Sequence, residues 1–262
     1  MAYVTNRNGG QEIWLHKEGQ PDRPIVTARD FPPDTFRGFM NPSLSPDGSR
    51  VIYTHLELAG PARLWMSSVS GGVPVPLLKN AAGGGGYGTS WSPDGNWFVF
   101  WWTEDGKTLL KKVKTTGQAE PETLKADVTR KGTSSMLPVW SPTGEWILHY
   151  DDGVKLTSPD GTTTREISAA GAVVCAFSAD GKSIFGIRRA ASNDRLELFS
   201  VSVGGGPEKL VGSLSLDYLP ATSANPSGRL SLAPDGKSVT YSILKSASNL
   251  WLMEGLNTVP HP

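Results

Sequence analysis

The pentapeptide Leu44-Ser45-Pro46-Asp47-Gly48 recurs with small changes along the 262-residue chain. Each copy begins with an apolar residue, and successive copies lie 47, 49, 37 and 55 residues apart. Such spacing is typical of the blades of a β-propeller, which repeat about every 40 to 50 residues. The other copies are Trp91-Ser92-Pro93-Asp94-Gly95, Trp140-Ser141-Pro142-Thr143-Gly144, Phe177-Ser178-Ala179-Asp180-Gly181 and Leu232-Ala233-Pro234-Asp235-Gly236.

Each copy of this motif has the chemistry of a tight turn. Pro presets φ for the second position of a turn, Asp hydrogen-bonds nearby backbone, and Gly accepts a positive φ. Apolar runs precede the motif, and β-prone runs such as Val51-Ile52-Tyr53 follow it. Strand, turn and strand predict a hairpin. A third strand and, in most units, a fourth strand follow, so one repeat predicts one four-stranded antiparallel sheet.

The repeat predicts an all-β fold, namely a six-bladed β-propeller of four-stranded antiparallel blades in a single domain, residues 1–262. The N-terminal unit lacks its first strand and the last unit has no clear fourth strand, so the first and last blades are incomplete in sequence. We expect residues 256–259 to supply the strand that closes the ring. The expected blade units are about 1–28, 41–79, 88–125, 137–168, 173–212 and 229–255.

Composition excludes several classes of function. The chain balances 25 Lys and Arg against 25 Asp and Glu, whereas a nucleic-acid binder needs a basic surplus. No apolar run approaches the roughly 18 residues of a membrane span, so we expect no direct membrane insertion. The hydrophobic content of 38%, with nine Trp, predicts a folded chain. A single cysteine, Cys175, excludes an internal disulfide.

Residues with catalytic or metal-binding chemistry show no recognisable pattern. The Asp residues of the repeat could be metal ligands, but Asp in such turns usually bonds the local backbone. The four His residues lack metal-ligand spacing, and no Gly-x-Ser-x-Gly nucleophile elbow occurs. The glycine-rich run at 83–88 lacks the Lys-Ser/Thr end of a phosphate loop. We therefore expect no catalytic residues, no metal site and no cofactor.

The repeat also resembles a known family. The motif, an Ile/Leu-Trp-Leu strand and a Gly-Gly-x-Pro turn together resemble the WD-like repeat of TolB-type β-propellers, and residues 5–14 resemble that family's Ser-Asn-Arg-x-Gly-x-x-x-Ile-Tyr segment. The resemblance extends over residues 1–255. The ending at 249–256 is similar to the C-termini of bacterial Ser/Thr kinases and winged-helix regulators that carry such a propeller. This implies a sensor or binding domain of a larger bacterial protein, in the periplasm or elsewhere outside the cytoplasm.

Binding residues are expected on one face of the propeller. The predicted connectors between blades, at 29–40, 80–88, 126–137 and 213–228, share that face with the loops between second and third strands, and long loops on a rigid scaffold often carry function. Aromatic residues and Arg are typical of interface hot spots. We expect a monomer that binds a protein, a peptide or a small ligand there. The candidate residues are Arg7, Phe31, Arg37, Phe39, His55, Tyr87, Trp102, Arg130, Met136, Tyr150, Arg188, Arg189 and Tyr218.

Two alternatives remain open beside this non-catalytic binding module. One is a propeller enzyme, similar to a lyase or lactonase, with its site at the mouth of the central channel. The other is the propeller cap of a peptidase whose catalytic domain lies outside this chain. Fold alone does not separate these classes, because function depends on the site.

Overall fold

The structure is a computed structural model that describes residues 1–32, 36–58, 60–79, 85–128, 136–216, 230–232 and 239–241. Within these ranges the regular structure consists of β-strands and a three-residue 3-10 turn, Ala28–Asp30. The all-β fold class is therefore confirmed. Residues 217–229, 233–238 and 242–262 lie outside the description, and with them the expected closing segment 256–259.

The strands follow the units of the repeat. Unit 1 comprises β1 (Ala2–Thr5), β2 (Glu12–Leu15) and β3 (Arg23–Val26). Unit 2 comprises β4 (Phe36–Leu44), β5 (Arg50–Glu57), β6 (Arg63–Ser68) and β7 (Val75–Pro76). Unit 3 comprises β8 (Gly85–Trp91), β9 (Trp97–Glu104), β10 (Lys107–Lys114) and β11 (Glu122–Lys125).

The second half of the chain continues this order. Unit 4 comprises β12 (Val139–Trp140), β13 (Ile147–Tyr150), β14 (Val154–Thr157) and β15 (Thr164–Glu166). Unit 5 comprises β16 (Ala172–Phe177), β17 (Ser183–Arg189), β18 (Leu196–Ser202) and β19 (Lys209–Leu214). The described part of unit 6 contains β20 (Leu230–Leu232) and β21 (Val239–Tyr241).

Each unit forms its own antiparallel sheet. Units 2 to 5 are four-stranded, unit 1 has three strands, and the described part of unit 6 has two. The first strands of neighbouring units lie side by side, with β4 beside β8, β8 beside β12 and β16 beside β20. This places the first strands of units 2 to 6 innermost, as in a propeller. The number of six blades, the closure of the ring and the domain boundary remain predictions.

The turn motif behaves as its chemistry predicts. The Ser45 hydroxyl donates to Asp47 Oδ1 at 2.5 Å and accepts from the Arg50 backbone N–H at 2.9 Å. The Asp47 carboxylate in turn accepts from the Ser49 backbone N–H at 3.1 Å, and Gly48 has a φ of 70°. Equivalent Ser and Asp contacts occur at 92–97 and 178–183. The Asp side chains of these described turns therefore hold the hairpins together.

The hydrophobic core lies between the sheets. Along β9, Phe98 and Phe100 pack towards unit 2, against Ile52 among others, while the intervening Val99 and Trp101 pack towards unit 4. Successive side chains of a strand point to opposite faces, so a sheet covered on both sides needs an uninterrupted apolar run. The run 97–102 is such a sequence, which explains why it lacks polar alternation.

Two of the expected connectors are shorter than the sequence indicates. β4 begins at Phe36 and β8 at Gly85, inside the expected connectors 29–40 and 80–88. β4 is irregular, because its register relative to β5 shifts twice and Asn41 has a φ of 53°. It nevertheless remains paired with β5 on both sides of these shifts. Phe39 and Tyr87 therefore lie in strands, where cross-strand hydrogen bonds restrict their movement.

Gly186 illustrates how tightly unit 5 is packed. A Cβ atom on Gly186 would overlap the ring of the cross-strand residue Phe199, which is fully buried. We expect Gly186→Ala to lower the free energy of unfolding by about 2 kcal/mol, because the ring cannot move without disturbing the core between units 4 and 5. Urea unfolding measures this effect. Gly212→Ala in β19, where a Cβ meets nothing within 4 Å, is the matched control, and equal stability of the two variants would contradict this packing.

Candidate functional site

The two faces of the sheets differ in their connections. One face carries the turns between first and second strands and between third and fourth strands, and we call it the turn face. The other carries the loops between second and third strands and the connectors between units, and we call it the loop face. The candidate binding residues that the structure describes belong to the loop face, and they include buried, half-buried and exposed side chains.

Phe31, Phe39 and His55 form one buried cluster between units 1 and 2. The ring of Phe31 stacks on His55 with centroids 4.2 Å apart, and Phe39 lies 5.7 Å from Phe31. His55 is only 2% exposed, and neither of its ring nitrogens has a hydrogen-bond partner among the described residues. Burial therefore lowers the pKa of His55. These three residues form part of the structural core.

Trp102 is likewise buried, at 4% exposure, within the core between units 2 and 3. It lies within β9 because the turn to β10 begins only at Asp105, where φ is 49°. Its indole N–H donates to Glu104 at 3.0 Å, and the Lys111 ammonium lies 5.7 Å from its ring. Two further candidates are also covered by the fold. Met136 is 2% exposed, and Tyr87 is half-buried against the core of units 3 and 4.

Arg188 forms ion pairs inside unit 5. Its guanidinium lies 3.0 Å from Glu197 and 2.5 Å from Glu208, and it stacks over the ring of Phe199 at 4.7 Å. Charge-assisted contacts of this kind link the middle strands of the sheet to the segment before β19. The side chain is therefore engaged within the fold.

The remaining described candidates keep exposed surface. Arg37 and Arg189 are exposed, and within the described ranges neither side chain forms a hydrogen bond or an ion pair. Arg7 is exposed but lies 4.3 Å from the ring centroid of Trp14, and Tyr150 is half-buried against the core of units 4 and 5. Two further candidates, Arg130 and Tyr218, lie outside the described residues.

Two described side chains that could act as a nucleophile or a base, Cys175 and His149, are buried. Cys175 is buried, and burial raises the pKa of its thiol to about 12, so the reactive thiolate is disfavoured. His149 is fully buried, and burial lowers its pKa to about 4. The described residues contain no group of three or more His, Cys, Asp or Glu side chains arranged to hold a metal ion.

The aspartates of the tight turns bond to their own hairpins. The hydroxyl of Ser158 donates to Asp160 at 2.5 Å, and this contact, followed by those from Thr162, lowers the Asp160 pKa to about 2. Residues 158–161 repeat the Ser-Pro-Asp-Gly sequence but join β14 to β15, a turn between third and fourth strands. The hydrogen bonds from Ser45 and Ser49 similarly hold the pKa of Asp47 well below its ordinary value.

Sequence reasoning missed two cations on the turn face, Arg50 and Lys114. They border a cleft of about 600 Å³ between units 2 and 3. A signal was present in the repeat, because Arg50 stands where later units have Trp97, Trp146 and Ser183. The two cations are 64 residues apart in the sequence, so the sequence alone does not show that they border the same cleft.

Three solved structures show what the fold is similar to. TolB from Acinetobacter baumannii is 17% identical, with 91% of this chain and 56% of that chain covered and a TM-score of 0.65. An oligogalacturonate lyase from Vibrio parahaemolyticus is 16% identical, with 91% and 66% covered and a TM-score of 0.63. A chain of a nidogen/laminin complex is 15% identical, with 89% and 82% covered and a TM-score of 0.59.

At these identities the likeness concerns the fold. This chain spans about half the length of the TolB chain that it matches. No family model matches the sequence, and no curated protein does. Among the described residues, no helix has the length and apolar character needed to cross a membrane. The antiparallel sheets, their innermost first strands and these structural neighbours together establish that the fold is a TolB-like β-propeller.

Proposed function

We propose that this propeller is a non-catalytic binding module whose loop face contacts a protein or peptide partner. The observation that carries the proposal is the state of Arg37 and Arg189, which are exposed and make no polar contact within the described part of the chain. Both side chains project from strands, so their backbones are held in place before a partner arrives. Arg is enriched in interface hot spots because its planar donors bind carboxylates and carbonyls.

The surroundings of Arg37 support the same role. Leu58 directly follows β5 and is 62% exposed. The last residue of β5, Glu57, pairs with Phe36, which precedes Arg37 in β4. An exposed apolar side chain and a guanidinium without a polar contact among the described residues offer, at one corner of the unit, both types of contact that interfaces use. One structural neighbour comes from a complex between two proteins, nidogen and laminin.

A peptide selection tests this proposal. Peptides selected from a displayed random library against the wild-type protein should bind the Arg37→Ala/Arg189→Ala double variant at least about tenfold more weakly, because two charge-assisted contacts are lost. The matched control is Lys182→Ala/Lys209→Ala, which removes two exposed cations from the turn face of unit 5. Fluorescence anisotropy measures both affinities.

The selection also has an outcome that contradicts the proposal. Peptides that lose affinity for the lysine variant and keep it for the arginine variant would place binding on the turn face. Circular dichroism spectra and melting temperatures of both variants should match those of the wild type, since all four side chains are exposed.

An enzymatic role is the alternative that one observation favours, the likeness to an oligogalacturonate lyase. Turnover of oligogalacturonate, a lactone or an ester by the purified chain would replace the binding proposal with this one. We also propose, from the family resemblance, that the chain is a monomeric domain of a larger bacterial protein and works outside the cytoplasm. The full-length reading frame would identify any kinase, regulator or peptidase domain.

A further inference from the structure

A cleft of about 600 Å³ opens on the turn face between units 2 and 3. Arg50 and Met66 border it on the side of unit 2, and Trp97 and Lys114 border it on the side of unit 3. Its volume lies within the range of about 300 to 1,000 Å³ that small-molecule sites occupy in proteins. The cleft is separate from the loop face.

The Arg50 guanidinium is held across the gap between the two units. It donates to the Thr115 carbonyl oxygen at 2.8 Å and to the Gly95 carbonyl oxygen at 3.2 Å, and it lies 4.9 Å from the ring centroid of Trp91. Both acceptors are neutral. Among the residues that the structure describes, no carboxylate lies within 4.0 Å of this guanidinium. The nearby Asp47 carboxylate accepts hydrogen bonds from Ser45 and Ser49, and it interacts with the Arg50 charge only at longer range, as the last of the contributions that lower its pKa.

Lys114 supplies a second charge without a carboxylate partner in the described chain. Its ammonium lies 5.6 Å from the ring centroid of Trp97 and is exposed. The neighbouring Lys112 lies over the same ring at 4.3 Å, but it pairs with Glu122 at 3.2 Å. The cleft therefore presents two positive charges next to an indole ring and a thioether.

Comparison with the other units shows that the fold does not require these charges. Arg50 is the fifth residue after the Ser of its turn motif, and the same position holds Trp97, Trp146 and Ser183 in the next three units. Its cross-strand partner is Ser68, and the corresponding partner in unit 5 is Ser202. Lys114 stands at that partner position in unit 3, opposite Trp97. Both cations thus depart from the repeat, and both border one cleft.

We propose that this cleft binds a small organic anion, a carboxylate attached to a flat apolar group. The carboxylate contacts Arg50 and Lys114, and the half-buried guanidinium of Arg50 attracts it more strongly than a fully solvated charge does. The apolar part packs on Trp97 and Met66. An arginine already fixed by carbonyl groups loses little conformational freedom on binding, which favours affinity.

Saturation-transfer difference NMR with benzoate tests the site. Wild-type protein should bind benzoate with a Kd on the order of 1 mM, and benzamide, the neutral analogue, at least about tenfold more weakly. Lys114→Ser, which restores the residue found at this position in units 2 and 5, should raise the benzoate Kd about tenfold. Arg50→Gln should have the same effect, and Lys114→Ser decides the question if Arg50→Gln does not fold.

Lys182→Ser is the matched control, because it removes an exposed turn-face cation far along the chain in unit 5. It should leave the benzoate Kd unchanged. The Arg37→Ala/Arg189→Ala variant should also bind benzoate normally, so failure of the cleft and failure of the loop-face proposal are distinguishable. Benzoate binding that Lys114→Ser does not weaken, or no saturable binding by the wild type up to roughly 20 mM, overturns the assignment.

Discussion

Replacing Trp101 with alanine should lower the free energy of unfolding by about 4 kcal/mol, the largest effect that we expect from a single substitution. Trp101 is 1% exposed and packs in the core between units 3 and 4. Its indole N–H donates to the Met136 carbonyl oxygen at 3.0 Å. The alanine variant leaves a cavity between two sheets and removes the donor for a buried carbonyl. Urea unfolding followed by circular dichroism measures the loss.

Two further variants separate the contributions at this position. Trp101→Phe keeps most of the apolar contact but loses the hydrogen bond and a small part of the ring, so we expect a loss of about 1 to 2 kcal/mol. Leu58→Ala, at an exposed apolar site of the loop face, should remain within about 0.5 kcal/mol of the wild type. If Trp101→Ala were as stable as Leu58→Ala, sheets 3 and 4 would not pack as described.

The second large effect is a pH dependence due to His149. This side chain is fully buried, its Nε2 lies 2.7 Å from Thr157 Oγ1, and its ring lies edge-on to Trp101 with centroids 5.9 Å apart. Burial lowers its pKa from 6.5 to about 4, while Asp151 opposes the shift and Lys155 and Lys125 add to it. The folded state therefore holds this group neutral over a range where the unfolded chain binds a proton.

The sign follows from this difference in proton binding. Because the unfolded state binds more protons, stability is complete above pH 6.5 and falls as the pH decreases towards 4. The contribution of His149 between pH 7.5 and 4.5 should be about 2 to 3 kcal/mol. We expect the free energy of unfolding of His149→Gln to lack this share of the pH dependence. The difference in the free energy of unfolding between wild type and variant should therefore narrow as the pH decreases from 7.5 to 4.5.

Urea unfolding at several pH values measures the effect, with Leu58→Ala as a control that keeps His55 and His149. His55 also has a pKa lowered by burial, so part of the decline persists in His149→Gln. Parallel pH curves for His149→Gln and the wild type would show that His149 is not the buried neutral group described here.

Much of the fold could be predicted because turn chemistry is local. Ser45, Asp47 and Gly48 bond or rotate within a few residues of one another, so their pattern predicts a hairpin wherever it occurs. The repeat spacing then predicts sheets of similar size that must stack to bury their faces. The same chemistry forms a turn at Ser158-Pro159-Asp160-Gly161, between the third and fourth strands of unit 4.

The candidate site was less predictable, since exposure depends on neighbouring sheets. Phe39, His55 and Trp102 lie at the expected end of their blades, but adjacent units cover them. Nothing in the local sequence distinguishes Arg188, which pairs with two glutamates, from the exposed Arg189 that follows it. A binding role for the exposed Arg37 and Arg189 remains a prediction, which the peptide selection tests.

The strand–turn repeat and the all-β propeller class could be read from the amino-acid sequence, because they depend on interactions within about 50 residues. Which aromatic side chains are buried, and which cations come together, follows from how the sheets pack against one another. Arg50 and Lys114 border one cleft because two sheets stack at a particular angle and register, and that arrangement depends on packing across the whole interface.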